Sequence, residues 1–127
     1  VRALLPIVAL SMLLSACTPG VFLNLYNGTD ETLTVTRAEF RPVITIPAHT
    51  AADIPLAYAA GERVLIRSSH HVWVYSPRSL SPPYPVFQHQ GMVMRAFARI
   101  DRHGDISIIL APGTRQPEGF PVKPRTT

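Results

Sequence analysis

The chain has 127 residues, room for one hydrophobic core but not two. It is 46% hydrophobic and 16% charged, carries a formal +4 charge and 13 prolines, and has a single cysteine, which excludes an internal disulfide framework. Its cations are scattered rather than gathered on one face among aromatics, which argues against a nucleic-acid partner.

Residues 1–16 read as an export signal. Arg2 is followed by an apolar run from Ala3 to Leu14, broken only by Pro6 and Ser11, and then by the small residues Ser15 and Ala16. The run is about twelve residues, whereas a helix needs roughly twenty to cross the hydrocarbon core, so export is expected rather than a permanent span. Val1 reads as an initiation codon translated literally. The tetrapeptide Leu14-Ser15-Ala16-Cys17 resembles, at all four positions, the lipobox of bacterial lipoproteins. That resemblance implies cleavage between Ala16 and Cys17, diacylglycerol on the Cys17 thiol, with palmitate-like chains, and an acyl group on the new amino terminus. Two or three chains anchor durably where one binds reversibly. Thr18 stands where an aspartate is associated with inner-membrane retention, so the resemblance implies the outer membrane, facing the periplasm. A plain secretory leader or an uncleaved anchor is the other reading of this segment. A metal site at Cys17 finds few ligands in Thr18, Pro19 and Gly20.

Removing residues 1–16 from the 127 leaves 111, and the formal charge falls to +3 with the loss of Arg2. This part divides into a lipidated end and short tether (17–20), a β domain (21–111) and a proline-rich arm (112–127). Val21 to Tyr26 and Thr32 to Thr36 read as strands, joined as a hairpin through Asn27 to Glu31, with Gly28 free to take positive φ. Asn27-Gly28-Thr29 matches a glycosylation sequon, a match without meaning behind a bacterial lipoprotein signal. Val43, Ile44 and Ile46 form a short run closed by Pro47, and Ala52, Asp53 and Ile54 another closed by Pro55; Pro47 to Thr50 reads as a tight hairpin link. Ala57 to Gly61 suggests a turn into the strand Arg63 to Arg67. In the strand His71 to Tyr75, alternation puts Val72 and Val74 on one face and His71, Trp73 and Tyr75 on the other.

Residues 76–87 hold four prolines and read as a long loop, incompatible with sheet or helix. Met92 to Ile100 alternates as a strand, although its residues would tolerate a helix, and Asp101 to Asp105 turns it back into Ile106 to Leu110. The arm after Ala111 has four prolines and two glycines, with Phe120 and Val122 as points where it could be pinned. Seven or eight short strands about ten residues apart predict an all-β fold, a small antiparallel β-sandwich in preference to a barrel, with mostly sequential neighbours paired.

The chemistry-bearing residues form no catalytic motif, and no catalytic residue is assigned. The five histidines are His49, His70, His71, His89 and His103. Adjacent strand residues face opposite sides, so His70 and His71 make a poor pair of ligands; His71 and His89 are the metal candidates, should they converge on Trp73 and the proline loop. Asp101 and Asp105 suit a turn that caps its own amides as well as acid–base work, and the serines sit in turn-like contexts. Trp73, Tyr75, Tyr84 and Phe87 with Arg78 could form an exposed platform for a peptide, a glycan or another envelope protein. The alternative places Trp73 and Phe87 in the core, with the prolines stiffening a crossover loop. Through NGTDETLTV, the central aromatic strand and Gly119-Phe120-Pro121, the chain is similar to small uncharacterised lipoproteins of Gram-negative bacteria, a group with no known activity. The expectation is a non-enzymatic, lipid-anchored cell-envelope protein with a binding or structural role and no cofactor beyond its acyl chains. The alternatives are a periplasmic metal- or small-ligand-binding lipoprotein and a small periplasmic hydrolase.

Overall fold

A computed structural model describes residues 20–37, 42–56 and 62–125. The export signal, Cys17 and the turn expected at 57–61 lie outside the described residues.

Nine strands run in chain order among the described residues: β1 (Gly20–Asn27), β2 (Leu33–Thr36), β3 (Ile44–Ile46), β4 (Ala51–Pro55), β5 (Val64–Arg67), β6 (Val72–Tyr75), β7 (Gln88–Gln90), β8 (Val93–Ile100) and β9 (Ile106–Ile108). They form two sheets. In the first, the order is β4-β1-β8, and the far edge of β8 is shared by β7 along Val93 to Arg95 and β9 along Ala98 to Ile100. In the second, the order is β3-β2-β5-β6.

Period-two patterning explains why these segments are strands with one buried face. Leu23, Leu25, Ile54, Ala96, Ala98 and Ile100 point inward from the first sheet; Leu33, Val35, Ile46, Val64, Ile66 and Trp73 do so from the second, and all belong to one core cluster. The long central strand β8 presents alanines inward, leaving room for larger side chains of the facing sheet. The fold is therefore an all-β sandwich, as the spacing of apolar runs predicts.

The connectivity departs from the expected one. β1 and β2 are not a hairpin: the chain leaves the first sheet after Asn27 and enters the second at Leu33. Likewise 47–50 carries the chain from β3 back to β4 in the other sheet instead of closing a tight pair. The pairing of β1 with β8 is parallel over eight positions, from Gly20 opposite Val93 to Asn27 opposite Ile100, so the sandwich is not purely antiparallel. The proline segment 76–87 contains two 3-10 turns, Pro77–Leu80 and Tyr84–Val86, where proline at the first positions supplies the φ such a turn needs. Directly after it, Gln88 to Gln90 is an exposed edge strand whose polar residues give no alternation signal.

Asn27 explains the first crossing. Its side chain is wholly buried and every polar position is used: Nδ2 donates to the carbonyls of Glu31 at 2.7 Å and Ile46 at 3.0 Å, while Oδ1 accepts from the Thr29 amide at 2.9 Å and hydroxyl at 2.6 Å. A polar core residue persists only when so satisfied. Gly28 follows because its amide reaches the Ile100 carbonyl at 2.9 Å, and a Cβ there would lie 2.8 Å from that oxygen and 2.6 Å from Arg99 Nε. Close approach, not positive φ, requires the glycine.

The arm closes one side of the sandwich. Val122 exchanges both backbone hydrogen bonds with Ile106 on β9, and the Arg125 amide donates to Val74 on β6, so 122–125 joins the edges of the two sheets. Gln116 occupies the remaining edge of β9, its amide accepting from the Ile108 N–H at 2.8 Å and donating to its carbonyl at 2.7 Å. Such covering removes strand edges available for aggregation.

The sandwich has two distinct ends. At one, Gly20 and Val21 start β1 beside Met92 and Leu56, and Arg37 pairs with Glu62 at 3.0 Å, with both side chains almost fully buried. At the other lie the loops 28–32, 47–50, 68–71 and 101–105, together with His49, His70, His71 and His103.

Candidate functional site

A broad recess lies on the outer face of the first sheet. Tyr26 and Arg99 are cross-strand partners on β1 and β8, and Ser107 on β9 is the next partner of Arg99, so all three project to the same side. The Arg99 guanidinium carbon stands 5.9 Å from the Tyr26 ring centroid, and the missing side chain of Gly28 leaves the space that its Nε occupies. A cation over an aromatic face in this way is oriented without being neutralised. After β9 the Ile109 amide bonds to the Phe97 carbonyl at 2.8 Å and Thr114 closes a turn on Ala111 at 3.1 Å, which raises a wall fixed by the Gln116 clamp. Tyr26, Arg99, Ser107, Ile109, Leu110 and Gln116 line a groove of ≈ 570 Å³. Ile109 is exposed at its rim. One fixed cation, hydroxyl groups and an apolar wall suit an elongated ligand with an anionic or hydroxyl-rich group, such as a peptide or glycan.

Beside this groove a polar row crosses the same sheet. Arg95 on β8 holds Asp53 on β4 through two parallel bonds of 3.0 and 2.9 Å and reaches Gln90 on β7 at 2.7 Å, while Asn24 on β1 donates to Asp53 at 2.9 Å. The row ties four strands together on a half-exposed surface. Alternation alone marks these residues as outward-facing, but it could not reveal that they meet, because the parallel register of β1 and β8 is not legible in the sequence.

Of the two readings of the aromatic residues near the prolines, the structure has the one that places Trp73 and Phe87 in the core. Trp73, Tyr75 and Phe87 are core residues, at 8%, 2% and 8% exposure, leaving only Arg78 and Tyr84 at the surface. Trp73 and Tyr75 share the inward face of β6, where burial in the core wins over display. Gly104 adopts φ +79° and packs so closely on the indole that a Cβ would lie 2.8 Å from the ring. The Tyr75 hydroxyl donates to the Gly104 carbonyl at 2.5 Å. Burial pushes that phenol far above its ordinary range, and the nearby Asp105 and Asp101 carboxylates push it further.

His71 and His89 are not brought to a common site. The His71 ring stacks on Trp73 with centroids 5.4 Å apart and planes 9° from parallel, whereas His89 leans on Tyr84. Among the described residues, no group of three or more His, Cys, Asp or Glu side chains is arranged to hold a metal ion. Asp101 does cap its own turn, its Oδ1 accepting from the amides of His103 at 2.8 Å and Asp105 at 3.1 Å.

One cluster brings a serine, a histidine and a carboxylate together. His70 Nδ1 lies 2.7 Å from Glu31 Oε1 and 2.9 Å from Ser69 Oγ, and Ser69 also donates directly to Glu31. These bonds hold the Glu31 carboxyl below its usual range, Ser69 contributing most and His70 next. In a hydrolytic triad the acid and the nucleophile engage opposite ring nitrogens. Here both meet Nδ1, and the serine proton points at the carboxylate, so the imidazole is not placed to activate Ser69. Glu31 comes from the loop 28–32 and Ser69 and His70 from 68–71, both open to solvent, with a second histidine–carboxylate contact, His49 to Asp30 at 3.0 Å, alongside.

These features define a small two-sheet all-β protein with an open recess on one sheet face. No protein-family model, curated protein or solved structure matches the chain.

Proposed function

We propose that this is a non-enzymatic lipoprotein of the cell envelope, held by acyl chains on Cys17 at the outer membrane facing the periplasm. In this reading it binds an envelope protein segment or a glycan through the groove between Tyr26, Arg99 and the wall at Ile109. The observation that carries the reading is the Leu14-Ser15-Ala16-Cys17 motif directly ahead of β1. The groove supports the binding role, because Arg99 is held over Tyr26 with its charge available and the wall is fixed by the Gln116 clamp. Such preorganisation lowers the ordering cost of capturing a partner.

Two variants of the full chain test the two halves. Cys17→Ala should leave the membrane fraction or accumulate as uncleaved precursor. A photo-crosslinking side chain at Ile109 in the anchored protein should form one discrete adduct that is lost when Arg99→Ala is added. Membrane retention of Cys17→Ala with its leader removed, or an adduct indifferent to Arg99, would contradict the respective half.

A further inference from the structure

We infer that the end of the sandwich carrying Val21, Val43 and Met92 rests on the bilayer that holds the acyl chains, so that the domain stands end-on with its histidine-bearing loops directed away. The inference rests on Cys17 being the lipidated residue. From Cys17 to Gly20 the backbone can span at most ~11 Å even when fully extended. The Gly20 amide in turn donates to the Met92 carbonyl at 3.3 Å, and the Leu56 amide to the Val21 carbonyl at 2.9 Å. An acylated Cys17 seated at the interface therefore brings the 91–92 turn and the start of β1 to the lipid headgroups, whose layer is itself ~5–8 Å deep on each side.

The surface brought there has the composition an interface accepts. Met92 is 57% exposed, Val43 58% and Val21 39%, and these are three of the six large apolar side chains left exposed among the described residues. Gly91, at the tip of the β7–β8 turn with φ +65°, faces open space. Arg63 and Arg78 are exposed at the same end, whereas the Glu62 side chain is turned in and already paired with Arg37. Cations beside apolar tips match anionic headgroups over acyl chains. The opposite end carries His49, His70, Asp30, Glu31 and Asp101, groups that favour water. A bilayer is the one surface that the anchor itself holds within reach of Met92.

The chain's single cysteine is consumed by acylation, so an introduced cysteine can be labelled alone. Met92→Cys, Val43→Cys and Ser69→Cys, each in the full lipidated protein, would be given a nitroxide and reconstituted in phosphatidylethanolamine–phosphatidylglycerol vesicles. Collision rates with oxygen, which partitions into lipid, and with a water-soluble nickel chelate are then compared, and intact mass reports acylation of the same samples. Expected is a ratio favouring oxygen at 92 and 43 and favouring nickel at 69. Acylated protein whose labels at 92 and 43 meet nickel as freely as the label at 69 would overturn end-on docking while leaving the anchor standing. Spin–spin broadening at 92 would overturn it in favour of a second copy, and a chain without acyl mass would overturn the anchor reading and the docking with it.

Discussion

Replacing Asn27 should damage this fold more than replacing any single surface residue. Asn27→Ala deletes two donated and two accepted hydrogen bonds at a site with no solvent exposure. The Ile46 carbonyl and the Thr29 amide are left where water does not reach, while the part-buried Glu31 carbonyl keeps only its bond from the Thr29 hydroxyl. Each neutral hydrogen bond contributes ~1 kcal/mol net, and each stranded buried group costs ~1–3 kcal/mol, so a loss of ~3–5 kcal/mol is expected after partial relaxation. For a domain whose whole stability is ~5–15 kcal/mol, that is a large fraction. The single tryptophan, Trp73, is buried and reports unfolding directly. With a urea slope of ~1–2 kcal/mol/M, the midpoint should fall by ~1.5 M or more. Asn27→Asp provides the sharper control, because a carboxylate oxygen would face the two carbonyls that Nδ2 now serves; this variant should recover stability as the pH falls and its carboxyl becomes protonated. A midpoint for Asn27→Ala within ~0.3 M of the parent, at the same slope, would refute the role given to this corner.

Three further outcomes follow from the same contacts. Gly104→Ala combines a positive φ with a Cβ 2.8 Å from the Trp73 ring, so it should cost ~2 kcal/mol or more and shift Trp73 emission to the red; unchanged emission and melting would contradict the packing. Tyr75→Phe loses the bond to the Gly104 carbonyl and should cost ~1 kcal/mol at neutral pH. Because the folded Tyr75 pKa is raised, its stabilisation is complete below the unfolded value near pH ~10 and is lost as the pH climbs towards the folded one, so Tyr75→Phe should flatten the alkaline limb of the stability profile; parallel limbs would refute this. Arg95→Ala breaks a half-exposed pair with Asp53 and, screened by solvent, should cost ~1 kcal/mol or less while leaving the core signal of Trp73 unchanged, as near-ultraviolet circular dichroism would show.

The strands themselves were legible, because apolar alternation at Leu23, Leu25, Leu33, Val35, Val64 and Ile66 follows directly from one buried face. The partners were not. A turn-rich stretch such as Asn27 to Glu31 looks the same whether it closes a hairpin or crosses between sheets, and the deciding feature is the satisfied burial of Asn27 by groups from Thr29, Glu31 and Ile46. Aromatic content near prolines left display and core burial both open, and the contact that Trp73 and Tyr75 make inside is with Gly104, a residue of the other sheet's β8–β9 turn. The groove was illegible for the same reason: Tyr26 and Arg99 are neighbours only through a parallel pairing, and its wall depends on a glutamine side chain standing in for a strand. The Arg37–Glu62 pair likewise joins residues whose meeting no local pattern announces.

The chemistry of Cys17 is decided by the amino-terminal peptide of the protein isolated from its native membranes. Mass spectrometry should find a chain beginning at Cys17 and heavier than its amino acids by a diacylglyceryl group, with or without a further acyl chain. A peptide that still carries the residues before Cys17 and a free thiol would contradict the lipid anchor and everything built on it.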